Sequence, residues 1–279
     1  MKYFYVISNL SKDYVLDVQD EVQSCLEKRG AVCRYMTDYE RMKNGRHTPG
    51  EYVPEDTQCI ITIGGDGTLI QAARDLAGRN IPMLGINRGH LGFLNQVDRT
   101  EDIDAAMDAL VNERFRLEHR MMHRGTVFHE GKSVFQDIAL NEIIATSAEH
   151  LRVLRYDLAV NDEYLNEYAA DGVMVATPTG STAYNLSAGG PVMAPAGRMM
   201  AVTPVCSHTL NARSIVISEE DRVKIGLLGK GLVTFDGDTS QKTGPGDYLI
   251  VERSHMETVM VKLKQISFMQ NLSNYLGNV

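Results

Sequence analysis

Ile60-Ile61-Thr62-Ile63-Gly64-Gly65-Asp66-Gly67-Thr68-Leu69-Ile70 is the stretch on which the reading of this chain turns. An apolar run passes directly into three glycines around one carboxylate and then into a segment of helical character. Glycines at a strand end let the backbone adopt positive φ and approach a ligand without a Cβ clash. Successive amides there, with the helix N-terminus behind them, form a cradle for anions such as phosphate. The carboxyl end of a strand in an open α/β sheet is also where ligands usually bind. The plainer alternative makes Asp66 a helix cap and the glycines a tight turn. Three glycines exceed what a cap requires, so Gly65, Gly67 and Thr68 are expected to face a phosphate with Asp66 beside it.

Working outward, the first 115 or so residues alternate strand and helix. Tyr3–Ser8 reads as a strand, and Val15, Val18, Val22, Cys25 and Leu26 recur at helical spacing before Gly30 stops the helix. Ala31–Tyr35, Gln58–Ile63 and Pro82–Ile86 read as further strands, and Ile103, Ala106, Met107 and Leu110 mark one face of another helix. Lys43–Pro54, with two prolines and two glycines, is expected to be an exposed loop. Repeated β-α units imply a Rossmann-like α/β domain with a parallel sheet.

From about Leu117 to Ser254 helical periodicity mostly disappears and β-rich segments separated by turn signals follow. Glu130-Gly131 and Asn161-Asp162 sit where two-residue hairpin turns belong, and Leu232–Phe235 and Tyr248–Glu252 flank Gly244–Asp247. Ser181–Leu186 has the look of a short helix start. The expected division is an α/β domain over 1–117, an all-β, sandwich-like domain over 118–254, and a tail over 255–279 that packs back onto the first domain.

Composition narrows the partners. The chain has 279 residues, 28 Lys plus Arg against 36 Asp plus Glu, and a net charge of −8. At 43% apolar and 23% charged residues it matches ordinary globular proteins. An acidic balance argues against nucleic acid or an anionic membrane as partner, because either needs a basic field. Small phosphate-bearing substrates remain open if amides and a few cations hold them. Cys25, Cys33, Cys59 and Cys206 form no metal-like spacing, the N-terminus has no secretory pattern and no apolar run spans a bilayer, so the expected location is cytoplasmic.

No G-x-x-x-x-G-K-[ST], G-x-G-x-x-G after the first strand, H-E-x-x-H or G-x-S-x-G is present. A carboxylate beside a phosphate cradle suits phosphoryl transfer to a hydroxyl, where positioning and charge neutralisation dominate and the carboxylate accepts the proton. Further along, Asp171-Gly172 and the run Thr177-Pro-Thr179-Gly-Ser-Thr182-Ala183-Tyr184-Asn185-Leu-Ser187 bracket an apolar strand. Its hydroxyls and amides suit ribose and phosphate oxygens, and Tyr184 offers a ring to a base, although a polar turn would have the same composition. In Asp137–Ile144, Asn141 and Glu142 interrupt an apolar strand; they read either as ligand-binding groups or as an exposed sheet edge. In Gly85–Leu94, Arg88 or His90 suits phosphate and Phe93 suits ring stacking, with a core role for Phe93 equally open.

Taken together, these residues resemble the bacterial NAD kinases. Gly64–Thr68, Gly89–Phe93, Asn141-Glu142, Thr177–Tyr184 and Ser207–Val216 fall in the family's order and approximate spacing, over roughly Ile60 to Asp238. Gly-Gly-Asp-Gly-Thr is shared with diacylglycerol, sphingosine and phosphofructokinase-type kinases; the Thr177–Tyr184 block is more specific. The resemblance implies a phosphotransferase that uses ATP, with Mg2+ on its phosphates, to convert NAD to NADP. It implies that Asp66 accepts the proton of the adenosine-ribose 2′-hydroxyl and that Gly67 lies against that ribose. It further implies that Phe93 packs on the adenine side, that Asn141 and Glu142 hold NAD, that Asp171 binds its nicotinamide end and that Thr182 to Ser187 line the dinucleotide. A homodimer or homotetramer is implied as well.

The chain departs from the pattern at a few positions. Ala169 stands where many members carry Arg, and Arg152 is the candidate replacement for that cation. Ser207 and Ser214 stand where proline is common, and Asp238 occupies a variable polar position near the dinucleotide. The rival readings are a lipid or sugar kinase of the same glycine-loop group, and a non-catalytic dinucleotide-binding sensor.

Overall fold

The computed structural model describes residues 1–11, 13–87, 92–97, 102–149, 152–208, 212–263 and 268–276. The chain divides into two compact units, Met1–His119 with Glu257–Val279, and Arg120–Met256.

In the first unit, β1 (Tyr3–Ser8), β2 (Val32–Tyr35), β3 (Cys59–Ile63) and β4 (Met83–Ile86) form a parallel sheet in the order β2-β1-β3-β4. All five residues of β3 are buried, as expected of a parallel strand covered on both faces. The helix α1 (Val15–Glu27) buries Val15, Val18, Val22, Cys25 and Leu26, and Gly30 at φ +73° turns the chain so that Ala31 N–H returns to Leu26 O. This stripe joins Phe4, Ile61, Leu84, Met107 and Leu110 in one apolar core. The last strand, β16 (Tyr248–Lys262), pairs Met260 with Met83 in parallel, and Val261 enters the same core.

The expected exposed loop over Lys43–Pro54 is corrected by the structure. The end of helix α2 (Asp38–Asn44) and a 3-10 turn over Gly50–Tyr52 fall within it, and Thr48 and Val53 are buried. The Arg79 guanidinium donates to Gly50 O and Val53 O at 2.8 and 2.6 Å, and Asp75 accepts the Thr48 N–H at 2.6 Å. Side chains from elsewhere thus satisfy the irregular backbone, which lets it be buried.

The second unit is antiparallel. One sheet runs β12 (Ile215–Ser218), β11 (Met199–Val205), β10 (Gly172–Ala176), β7 (Glu142–Ser147), β14 (Gly231–Phe235), β15 (Thr239–Thr243). A second layer includes β8 (Leu154–Val160), β9 (Glu163–Ala170) and β13 (Val223–Leu227), with the first half of β16 paired to β13. Val173 and Val175 of one sheet and Tyr156, Leu158 and Ile225 of the other share one core. The hairpin turns carry positive φ at both central residues, +47° and +75° at Glu130-Gly131 and +51° and +67° at Asn161-Asp162, the geometry that matches strand twist.

Two expectations change in this unit. The partner of β14 is β15, not the strand after Gly244–Asp247, and the tight turn between them is Asp236-Gly237, both at positive φ. Strand β15 has the sequence Thr-Ser-Gln-Lys-Thr, without an apolar residue to mark it. Asn141 and Glu142 do not interrupt a single strand either: β6 (Lys132–Ala139) ends and β7 begins at Glu142, so Asn141 lies in a corner. No helix among the described residues is long and apolar enough to cross a membrane.

Candidate functional site

In the first unit the glycine stretch is the junction of β3 and α3 (Asp66–Asp75). Gly64 N–H donates to Ile86 O at 2.9 Å, and a Cβ on Gly64, at φ +151°, would strike Thr68 Oγ1. Gly65 is the extended N-cap residue, Thr68 N–H closes onto Gly65 O at 2.9 Å, and Gly67 is exposed. Asp66 does not cap its own helix. Its carboxylate instead accepts from Phe93 N–H at 3.0 Å and from Asn95 Nδ2 at 2.5 Å. A Cβ on Gly92 would collide with both carboxylate oxygens, so this glycine leaves the space that Asp66 occupies. Burial pushes the Asp66 carboxyl above the usual range, while N–H groups of Phe93, Leu94 and Asn95 pull it back.

A cavity of about 750 Å³ opens beside this junction, lined among others by Asn9, Met36, Arg46, His47, Gly65 and Gly67. One wall is set by a polar cluster: Gln71 Nε2 donates to Asp75 Oδ1 at 2.9 Å, and His47 Nδ1 lies 3.1 Å from that same oxygen. Phe93 is half-buried and reaches Asp66 through its backbone, whereas Arg88 and His90 lie outside the described residues. Asn95, a lone Asn after Phe93-Leu94, belongs to no motif, and only the fold brings it to Asp66.

In the second unit Asn141 and Glu142 sit against the Thr177–Ser187 segment. Gly180 approaches so closely that a Cβ there would strike the Asn141 backbone carbonyl. Asn141 Oδ1 and Glu142 Oε2 are buried and have no hydrogen-bond partner. Burial, with the negative charge of Asp236 nearby, pushes the Glu142 carboxyl up to about 8. Such groups are costly unless something satisfies them, and a ligand is the natural candidate at a motif of this kind. Arg120, buried, donates to Thr179 Oγ1 at 3.2 Å.

The rest of the hydroxyl-rich segment is mixed. Thr182 and Ala183 are half-buried, Ser187 is exposed and the Tyr184 ring is 45% exposed. Asn185 is fully buried: its Nδ2 donates to Pro191 O at 3.0 Å and its Oδ1 accepts from Thr203 Oγ1 at 2.7 Å. Its amide holds the segment's own backbone. Asp238 is half-buried after the Asp236-Gly237 turn, its N–H on Phe235 O at 2.9 Å. Asp171 and Arg152 are exposed. Asp171 precedes β10 while Glu142 pairs with Ala176 at the other end of that strand. At about 3.3 Å per residue the two ends stand roughly 16 Å apart.

Comparison with known proteins finds the ATP-NAD kinases. The ATP-NAD kinase N-terminal domain matches residues 5–115 and the ATP-NAD kinase C-terminal domain matches residues 140–263. An NAD kinase of Lachnospira eligens is 36% identical over 292 residues, covering 98% of this chain and 99% of that protein. An NAD kinase of Agathobacter rectalis is 37% identical over 285 residues, covering 100% and 99%. Among solved structures, yeast NADH kinase complexed with NADH superposes with TM-score 0.87 at 21% identity, over 99% of this chain and 88% of that one. An NAD kinase from Archaeoglobus fulgidus in complex with ATP gives TM-score 0.78 at 23% identity, over 99% and 98%. At these identities the two structures speak for the fold.

Proposed function

The chain belongs to the NAD kinase family, and we propose that it transfers the γ-phosphoryl group of ATP to the adenosine-ribose 2′-hydroxyl of NAD, with Asp66 as proton acceptor. The observation that carries this reading is the orientation of Asp66. A carboxylate that merely capped α3 would bond to that helix's own first amides, yet this one is turned away and held by Phe93 N–H and Asn95 Nδ2. Donors at fixed positions keep it aligned and favour its charged form, while burial strengthens its pull on a hydroxyl proton.

In the reaction the ribose oxygen forms a bond to the γ-phosphorus as its proton passes to Asp66, and the bond from that phosphorus to the ADP oxygen breaks. Little covalent work is left to the protein, so amides at Gly65–Gly67 would hold phosphate oxygens in line. The neighbouring cavity is large enough for a nucleotide and suits the donor. Mg2+ bound with ATP would neutralise the charge on the donor's phosphates.

The second unit supplies groups for NAD. Asn141 Oδ1 and Glu142 Oε2 are buried polar atoms in want of partners, and the open face of Tyr184 offers a ring; the Thr182 hydroxyl donates to Thr179 O at 3.3 Å and can still accept from a ligand. The committed amide of Asn185 assigns it to holding the segment rather than the ligand. Asp171 and Arg152, at the far end of β10, suit the distant end of an extended dinucleotide or a second copy of the chain in a homodimer or homotetramer. Four free thiols suit a reducing, cytoplasmic setting.

The test is to incubate the protein with Mg-ATP and NAD and follow product with an NADP-specific dehydrogenase. NADP formation is expected. Phosphorylation of a lipid or sugar instead, or NAD binding without product, would overturn the reading.

A further inference from the structure

We infer that Asp236 is a positioning residue for the acceptor, fixing the backbone corner from which Asn141 and Glu142 reach it, with Thr177 closing that corner from its other side. The inference rests on the reading of Asn141 and Glu142 as groups that hold NAD.

The corner between β6 and β7 must find partners for its own amides, because a turn buried without them is costly. One carboxylate supplies three. Asp236 Oδ2 accepts from Leu140 N–H at 2.7 Å, and Oδ1 accepts from Asn141 and Glu142 N–H at 2.8 and 3.0 Å. The Asp236 N–H in turn donates to Glu142 O at 3.0 Å. On the carbonyl side Thr177 Oγ1 donates to Leu140 O at 2.6 Å and Thr177 N–H to Asn141 O at 2.8 Å. The same Thr177 hydroxyl accepts from Gly180 N–H at 3.1 Å, tying in the glycine that touches the Asn141 backbone.

The backbone conformation of Asp236 points the same way. It lies at φ +49°, an uncommon region for a residue with a Cβ, and with Gly237 at +66° it forms the tight turn between β14 and β15. Asn and Gly serve this turn equally well, but neither offers two charged oxygens. An amide at this position has one acceptor oxygen and would present its N–H₂ to another N–H. The chemistry of the corner therefore specifies a carboxylate beyond what the turn demands. With the backbone of the corner clamped on both sides, Asn141 Oδ1 and Glu142 Oε2 are buried there without partners.

The test compares wild type with Asp236→Asn, Thr177→Val and Thr177→Ser in steady-state assays, varying NAD at saturating ATP and then ATP at saturating NAD. Asp236→Asn and Thr177→Val are expected to raise the KM for NAD by about tenfold or more, since small misplacements of binding groups are costly, with kcat within about threefold and the KM for ATP unchanged. Thr177→Ser keeps the hydroxyl and should stay near wild type. In Asp236→Asn the ionisation assigned to Glu142 in the pH profile of kcat/KM for NAD should also move to lower pH, because the neighbouring negative charge is gone. A merely structural role would lower the yield of folded enzyme and leave the KM for NAD in place. An unchanged KM for NAD in folded Asp236→Asn, or a KM for ATP that rises as much as that for NAD, would overturn the inference. If Asp236→Asn does not fold, the Thr177→Val and Thr177→Ser pair decides by the same criteria. A wild type that makes no NADP would sink the functional reading itself, whereas an active wild type with indifferent variants would sink only the role of Asp236.

Discussion

Asp66 and Glu142 are both largely buried carboxyl groups, yet their surroundings are electrically opposite. Asp66 receives backbone and side-chain N–H donors from Phe93, Leu94 and Asn95, which offset much of the cost of removing its charge from water. Glu142 has an unpartnered Oε2 and a second carboxylate, Asp236, nearby, so its carboxyl is pushed up to about 8 and holds its proton at neutral pH. Burial alone does not make a base. The donors around a buried carboxylate decide whether it stands ready to take a proton or waits, neutral, for a ligand to satisfy it. In the proposed function the first arrangement would serve the transfer step and the second recognition.

The comparison is most severely strained by removing the charge at Asp66. Asp66→Asn is expected to lower NADP formation by about a hundredfold or more, the usual contribution of a positioned base, in a coupled dehydrogenase assay. Next in size is Gly92→Ala. Its Cβ would collide with the Asp66 carboxylate and displace it, lowering kcat by roughly tenfold, since catalysis is sensitive to small misplacements. Normal turnover in that variant would show that the close packing of Gly92 is incidental.

A subtler change tests the donors themselves. Asn95→Ala removes a hydrogen bond to the charged form of Asp66, so the Asp66 carboxyl should rise further. Activity requires the ionised form, and the acid limb of the pH–rate profile should therefore move to higher pH. A limb that stays put would mean that Asn95 does not tune Asp66.

The smallest expected effect lies in stability. The folded-state value for Glu142 is about 8, against about 4.3 for an unperturbed Glu. Folded protein therefore binds the extra proton between those values, and the stability this proton contributes falls as pH rises through that window and is gone above it. Glu142→Gln removes the ionisation, so its melting temperature should gain on wild type from pH 5 to pH 9, with a raised KM for NAD. Parallel melting curves across that range would contradict the account of Glu142.

How much of this was legible without coordinates follows the range of the interactions. The strand–glycine–helix junction at Ile60–Ile70 and the hairpins at Glu130-Gly131 and Asn161-Asp162 are written in local chemistry, through apolar runs and residues that tolerate positive φ. Strand β15 escaped because Thr239–Thr243 carries no apolar residue and takes its place by pairing with β14. Asn141 and Glu142 are polar residues in an apolar run, but the break between β6 and β7 at Leu140-Asn141 is held by Asp236, 94 to 96 residues away. Asn95 and Asp236 belong to no motif. Each acts by meeting a partner that only the folded chain brings near, one across 29 residues and the other across the hairpins of the second unit.

The division of labour between the two carboxyl groups is tested most directly by calorimetric titration of NAD into Asp66→Asn. If Asp66 moves the proton and leaves recognition to other residues, the Kd for NAD should stay within about threefold of wild type even though turnover is lost. Binding weakened in proportion to the lost turnover would contradict it, and would make Asp66 a recognition residue like Glu142.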